Sequence, residues 1–451
     1  MKDSKDFWEK VANKKRIGPT KASKTEDFWE NKNKNLLEAK KDSLVIGEKL
    51  NDSLDAYLDL QALKTHVHII GSTGTGKSYL MELLIRDLIL KGCGLCLIDP
   101  HGFLYDHILN FLSRFPELAK KVILFDPTED QPLWPGFNPL KRTGYFSDLT
   151  VQIRYMVAAA AKVWEEDSKR TPLLRRVMGN ILYPLIEGGL TFLEAMYFVR
   201  LTQSGPRRKL AQITSNLRVK GEWEEFEEFS LPRKKDELGS LQNRLPEFTD
   251  NHAVRMILGR TENVLDFEDI FKNRKILLCK LSQRKNRLYK DDAFMLGTLL
   301  ISQMANYSFS VDEETAKKNP FFLFVDEFQN FITPDISSIL DQCRKFGLHL
   351  ILAHQHLSQL KNKDPDLFES VMTNARTKII FGGLGINDIE ILEKNVFIGE
   401  HNLKEIKEEI YRTAVLDYSE ETTTSRTTSS SGGESTIYGP KKGGPIFGVK
   451  D

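Results

Sequence analysis

The stretch Gly71-Ser72-Thr73-Gly74-Thr75-Gly76-Lys77-Ser78 constrains this chain more than any other part of it. It follows an apolar run, Val67-His68-Ile69-Ile70, and leads into Tyr79-Leu80-Met81-Glu82-Leu83-Leu84-Ile85. An apolar strand that turns through glycines into a helix leaves backbone N–H groups unpaired at the helix start, where a polyphosphate can bind. The spacing G-x-x-x-x-G-K-S is met in full, so the segment reads as a P-loop. Its glycines permit backbone conformations that a side chain blocks, Lys77 can reach β- and γ-phosphates, and the Ser78 hydroxyl can ligate Mg²⁺. Gly71, Ser72, Thr73, Gly74, Thr75, Gly76, Lys77, Ser78 and Tyr79 are therefore the expected nucleotide contacts. The bland alternative, a polar turn that happens to precede a lysine, fits poorly with the strand–loop–helix setting.

A second signature lies about 250 residues on: Phe321-Phe322-Leu323-Phe324-Val325 ends in Asp326-Glu327. A buried strand that delivers two adjacent carboxylates at its carboxyl end matches a Walker B element. Asp326 is then the expected Mg²⁺ partner, and Glu327 the group that orients or deprotonates the attacking water. Alone this pattern is weak; paired with an upstream P-loop it becomes specific. The strand Leu348-His349-Leu350-Ile351-Leu352-Ala353 ends at His354-Gln355-His356. An amide at that tip can hydrogen-bond a γ-phosphate or the lytic water, which makes Gln355 the candidate sensor.

The intervening chain alternates apolar strands with helical patterns. Leu95-Cys96-Leu97-Ile98 ends in Asp99-Pro100-His101-Gly102, and Val122-Ile123-Leu124-Phe125 ends in Asp126-Pro127. Strands alternating with helices imply an α/β fold with a mostly parallel sheet covered on both faces, its ligands at the carboxyl edge. After Gly136-Phe137-Asn138-Pro139-Leu140 the pattern turns helical, with no convincing strand until Lys275 to Leu281, so an all-helical insertion is expected. It carries basic clusters, Lys169-Arg170 with Arg175-Arg176, Arg207-Arg208-Lys209 and Arg233-Lys234-Lys235. Each can contact phosphates, although charge runs are more often solvated faces. The boundaries read as a charged tail 1–42, a first core half 43–147, the insertion 148–258, a second core half 259–418 and a Ser/Thr/Gly-rich tail 419–451. A hairpin or edge is expected at Leu44 to Gly47 and Leu58 to Leu60, a helix at about 335–346, and a last strand at Lys378 to Phe381.

Composition narrows the rest. A net charge of +1 argues neither for nor against nucleic acid. No apolar run approaches the ~18 uncharged residues of a membrane span, and a lysine-rich start without an apolar core is no signal peptide, so a cytoplasmic location is expected. Cys93-Gly94-Leu95-Cys96 enters a strand, where positions three apart face opposite ways, and no second Cys/His pair follows at zinc spacing. His66, His68, His354 and His356 likewise lack a carboxylate or thiol at ligand spacing, so no metal site is expected there. In the amino-terminal tail Asp6-Phe7-Trp8-Glu9 recurs as Asp27-Phe28-Trp29-Glu30. Paired aromatics in an acidic, polar setting suit docking into a partner's groove, with folding back onto the chain's own core as the alternative.

Taken in order, the P-loop, Asp99-Pro100-His101-Gly102, Gly136-Phe137-Asn138-Pro139-Leu140, Val325-Asp326-Glu327-Phe328, Arg344-Lys345-Phe346-Gly347-Leu348 and Ala353-His354-Gln355 resemble one known group. The chain looks like the conjugative coupling-protein branch (TraG/TraD-like) of the FtsK/HerA superfamily of RecA-like motors, over about residues 43 to 417. The resemblance implies a ring, usually a hexamer, that hydrolyses ATP with Mg²⁺ at subunit interfaces and moves DNA, single- or double-stranded, through a central channel. It implies that the helical insertion is the family's all-alpha domain, and that a neighbouring subunit supplies an arginine to the γ-phosphate. Arg344, in the family's Arg-Lys-x-Gly segment, is the first choice and Arg376 the second. Coupling proteins commonly begin with membrane-spanning helices, whereas this chain begins with the charged Phe-Trp repeat. That departure leaves two readings: recruitment by a membrane partner of a type IV secretion apparatus through the repeat, or a cytoplasmic relative with another task. Two other functions fit the same residues: a nucleotide-switched adaptor that brings protein cargo to a secretion system, and a HerA-like motor partnered with a nuclease in repair or phage defence.

Overall fold

The computed structural model of the chain describes residues 43–48, 55–128, 134–144, 148–164, 172–283, 288–331, 336, 340 and 343–397. The two tails, both copies of the Phe-Trp repeat, and Lys169-Arg170 lie outside them. The chain divides into two compact units, Met1–Leu384 and Gly385–Asp451.

The first unit is built on a parallel sheet. Its strands are β3 (Val67–Ile70), β4 (Gly94–Asp99), β5 (Val122–Phe125), β6 (Ile276–Lys280), β7 (Phe321–Val325), β8 (Leu348–His354) and β9 (Thr377–Ile380). They lie in the order β5-β6-β4-β7-β8-β3-β9, and every neighbouring pair is parallel. In β3, β4, β6, β7 and β8 every residue is buried. That explains why they read as continuous apolar runs rather than alternating ones: helices cover both faces. The expected hairpin is present as β1 (Ser43–Glu48) and β2 (Asp55–Asp59), an antiparallel pair bulged between Val45 and Gly47. It stays a separate two-stranded sheet, with Leu44 belonging to the same buried core as Leu84 and Leu88 of the first long helix.

Two helices follow the first strands, α1 (Lys77–Leu90) and α2 (Phe103–Leu112). The helical stretch then comprises α3 (Leu149–Val163), α4 (Pro172–Glu187), α5 (Phe192–Val199), α6 (Ser204–Ala211), α7 (Leu217–Glu228), α8 (Leu231–Arg244), α9 (His252–Leu258) and α10 (Phe267–Lys272). The segment Gly136 to Leu140 straps this block to the sheet. The Phe137 amide donates to the Ile257 carbonyl, the Val264 amide to that of Gly136, and the Asn138 side chain to that of Leu190. Back in the core, α11 (Lys290–Ser310) closes the strap when the Gln303 amide donates to the Pro139 carbonyl at 2.9 Å. The short helix α12 (Glu313–Lys318) then leads into β7, and α13 (Leu357–Lys363) and α14 (Pro365–Asn374) join β8 to β9. Of the helix expected at about 335–346, the described part that can be followed is a 3₁₀ turn, Cys343–Phe346. The second unit contains one described helix, α15 (Ile386–Phe397).

Members of the basic clusters are committed to the helical block itself. Arg207 is buried, donating to Glu227 at 2.7 Å and to the Arg200 carbonyl at 2.9 Å. Arg176 bridges Glu222 and Glu237, Lys234 donates to the Glu227 carbonyl, and the Arg233 guanidinium lies 3.5 Å over the Phe229 ring. Among the described residues no helix is long and apolar enough to cross a membrane.

Candidate nucleotide-binding site

The strand order brings the two chemical signatures to one edge. β3, which carries the P-loop, and β7, which carries the acids, flank β8, whose tip is His354-Gln355. Gly76 caps α1 at φ 109°, a left-handed conformation that turns the chain and leaves the first amides of α1 facing outward. Lys77 is buried, with its Nζ folded back on the loop carbonyls of Gly71 at 2.6 Å and Ser72 at 3.0 Å. Thr75 Oγ1 donates to the Ser72 carbonyl at 2.8 Å and closes the loop. Tyr79 is 53% exposed, its ring edge-on to Phe103 with centroids 6.3 Å apart.

At the end of β7 both acids are buried. The Asp326 amide donates to the Ile98 carbonyl on β4, and Asp326 Oδ1 accepts from the Glu327 amide at 3.0 Å. Burial pushes the Asp326 carboxyl up to about 7, helped by the negative charges of Asp99 and Glu327 and opposed by Lys77. Lys77 is therefore close enough to act on Asp326 electrostatically although 249 positions of sequence part them. Three buried acids against one lysine leave surplus negative charge at this edge, which a divalent cation relieves. The carboxylate of Asp326 and the hydroxyl of Ser78, the first acid after β7 and the second residue of α1, are oxygen donors of the kind Mg²⁺ takes. Among the described residues no group of three His, Cys, Asp or Glu gathers as a metal cluster.

Glu327 sits at φ 48°, in the left-handed region, and its carboxylate is held on both sides. Gln355 Nε2 donates to Oε1 and Gln329 Nε2 to Oε2, each at 2.6 Å. Gln355 thus meets the acid rather than lying apart from it, and Gln329 is a partner that sequence reasoning passed over. Below them His68 and His354 form a buried pair, Nε2 to Nε2 at 2.6 Å with rings stacked. His354 Nδ1 faces the His356 carbonyl at 3.0 Å, which only accepts, so the His354 proton is on Nδ1 and His68 donates from Nε2. Burial lowers both imidazoles, His354 to about 4. Of the four histidines singled out in the sequence, His68 and His354 therefore serve as a neutral strap between β3 and β8, and His66 Nδ1 accepts from the Leu350 amide at 3.0 Å.

Asp99 also gains a place. Its oxygens accept from the His101 and Tyr105 amides, fixing the start of α2 beside the acids. The loop after β9 was not foreseen at all: the Ser72 amide donates to the Gly382 carbonyl, and Gly383, at φ 78°, lies where an added Cβ would come within 2.0 Å of Ser72 Oγ. The arginine candidates lie elsewhere. The backbone of Arg344 is in the turn before β8, with its side chain outside the described residues, and exposed Arg376 precedes β9 with its amide on the Thr65 carbonyl. Both are at the amino ends of their strands, away from Lys77, so within one chain neither joins the site. Cys96 neighbours Cys279 on the adjacent strand, and burial together with that contact raises its thiol.

Residues 44–161 match the family described as helicase HerA, central domain, and residues 320–443 match the TraM recognition site of TraD and TraG. The two matched stretches cover more than half of the chain and carry the P-loop and the acids. The chain is a TraG/TraD-like member of the FtsK/HerA superfamily. Among curated members, it is 23% identical over 346 residues to the DNA double-strand break repair helicase HerA of Sulfolobus acidocaldarius, covering 70% of this chain and 58% of that one. A probable HerA from Methanocaldococcus jannaschii is 25% identical over 374 residues, 75% of this chain and 67% of that relative. The superfamily fold is shared with solved structures. The bacterial conjugative coupling protein TrwB superposes with a TM-score of 0.57 at 17% identity, covering 81% of this chain and 78% of TrwB. TrwB has also been solved with ADP and Mg²⁺, a structure that matches with a TM-score of 0.56. VirB4 of Thermoanaerobacter pseudethanolicus gives 0.52 at 14% identity, covering 79% and 88%.

Proposed function

We propose that this chain is an ATP-driven DNA translocase, a coupling-protein-like motor for conjugative or type IV secretion transfer that works as a ring, a hexamer, with ATP held at subunit interfaces. The observation that carries the reading is that β3 with the P-loop and β7 with the acids flank β8, so that at one sheet edge Lys77 acts on Asp326 and Gln355 bonds Glu327. In this reading Lys77 exchanges the carbonyls of Gly71 and Ser72 for β- and γ-phosphate oxygens, and amides of residues 71–79 cradle the phosphates. Ser78 and Asp326 hold Mg²⁺, which screens the phosphate charge when bound. Glu327 accepts a proton from water as the water oxygen bonds to the γ-phosphorus and the bond to ADP breaks. Arg344 or Arg376 of a neighbouring subunit completes the charge stabilisation.

ATP turnover by the full chain, measured with and without DNA across a salt series, tests this. DNA-stimulated hydrolysis with salt-sensitive DNA binding is expected. Glu327→Gln should lower kcat by ~10²–10⁴-fold while ATP still binds. Turnover indifferent to DNA would refute the motor. The match of residues 320–443 to a TraM recognition site favours a protein partner in the transfer apparatus, with the Phe-Trp repeat as a second contact. The match of residues 44–161 to HerA favours a second reading, a motor serving a nuclease in repair or defence. A nuclease that co-purifies with the native protein would decide for it.

A further inference from the structure

We infer that Gln329 is the fixed positioning residue of the general base Glu327, and that Gln355 is its exchangeable partner, released when a γ-phosphate arrives. This inference rests on the ATPase reading above. The two amides that hold the carboxylate differ in what they are attached to. Gln329 belongs to the 3₁₀ turn Phe328–Asn330 directly after Glu327, so it moves with the acid. That turn is itself pinned, because Lys363 Nζ donates to the Gln329 carbonyl at 3.2 Å. Gln355 comes from the tip of β8, and its neighbour His354 is bonded to His68 on β3. The His68–His354 pair therefore ties the P-loop strand to the strand that carries Gln355, and the edge-on contact of His354 with Phe328 at 5.0 Å braces the turn that carries Gln329.

The backbone supplies the second reason. A glutamate at φ 48° is held in a left-handed conformation that side chains disfavour, and such outliers persist where surrounding contacts enforce them. Free to relax, the backbone of Glu327 would swing its carboxylate from its present aim. A buried amide on Oε2 opposes that swing whether or not nucleotide is bound. Oε1 has the opposite requirement, since an oxygen engaged at 2.6 Å by Gln355 is not open to water along that direction. When the Gln355 amide turns to a γ-phosphate oxygen, Oε1 becomes free to take the proton from the attacking water. Oε2, still bound by Gln329, keeps the carboxylate aimed. Without the triphosphate the base stays covered, which couples its availability to the presence of substrate.

The experiment compares ATP turnover and binding of a fluorescent ATP analogue by the full chain carrying Gln329→Leu, which keeps the volume and deletes the donor. The expected result is a fall in kcat of about 10- to 100-fold with the dissociation constant within twofold of wild type. Introduced into a Glu327→Gln chain, the same change should leave the residual turnover unaltered, because no base remains to be aimed. Gln329→Glu, nearly identical in shape, serves if the leucine variant does not fold, and should be impaired in the same way. Wild-type kcat in either variant overturns the inference, as does a further loss in the Glu327→Gln background. If the wild-type chain binds but never hydrolyses ATP, the ATPase reading fails and takes the inference with it. Turnover in wild type with no effect of Gln329 removes the inference alone.

Discussion

Asp326 and His354, a strand apart, respond to pH in opposite senses. The carboxyl rises from its ordinary 3.8 to about 7, so between these values the native state holds a proton that the unfolded chain has lost, and stability falls as pH rises through the window. His354 drops from 6.5 to about 4, and its contribution is complete above 6.5 and lost as pH falls toward 4. His68 is lowered too and acts in the same direction. The two slopes oppose each other over one range. Asp326→Asn should therefore be more stable than wild type at pH 8 without Mg²⁺ or nucleotide, by about 2 kcal/mol or more. Below pH 6.5 the variant should lose stability more steeply than wild type. Denaturant titrations at pH 5, 6.5 and 8 measure both effects, and equal midpoints for the two proteins at pH 8 would count against a strained, ionised Asp326. The same variant should bind Mg²⁺-nucleotide poorly, the usual conflict between stability and function at a site with surplus charge.

Among elements, β9 is the least conspicuous in sequence and one of the most consequential. It is an edge strand, half exposed, that pairs with β3 so that Ile70 stands opposite Ile380 and the chain after it wraps the P-loop. Phe381 donates its amide to the Ile70 carbonyl at 2.7 Å, and Gly382 receives that of Ser72. A Cβ on Gly383 would be 2.9 Å from Ser72 Cβ as well as crowding its hydroxyl, in a backbone conformation that alanine resists. Gly383→Ala should weaken nucleotide binding about tenfold, equivalent to about 1.4 kcal/mol. Adding Ser72→Gly, which removes the clashing side chain, should recover part of it. A fluorescent-nucleotide titration reads both, and unaltered affinity in the single variant would mean that the β9 loop does not shape the cradle. The intervening strand explains Gln355 in the same way: β8 lies between β7 and β3, so its tip reaches both signatures.

At the scale of the molecule, the candidate site lies on the sheet, and the helical block packs beside it. A cleft of about 1040 Å³ between them is lined by Glu247, Asp250, Asp291 and Asp292, with Lys290 and Lys363 as its lysines. Such a wall repels phosphates, and Arg207, Arg176 and Lys234 are tied to glutamates of the block. DNA contact is therefore expected on surfaces other than this cleft. Native mass measurement with ATP and DNA should detect a closed ring that a ligand-free sample lacks, whereas a persistent monomer under both conditions would argue against the ring.

The sequence by itself determined the class of fold and where the candidate nucleotide site lies along the chain. A full P-loop after an apolar strand and a carboxylate pair after another are local patterns, dictated by spacing within a few residues, and so are the parallel sheet and the helical block. What the tertiary structure decided is which distant groups touch. The Gln329–Glu327–Gln355 contacts, the His68–His354 pair, the action of Lys77 on Asp326, and the glycine loop against Ser72 all depend on strand order and register. Those are set by how helices and sheet bury their apolar faces over the whole chain, a global sum that no local spacing encodes.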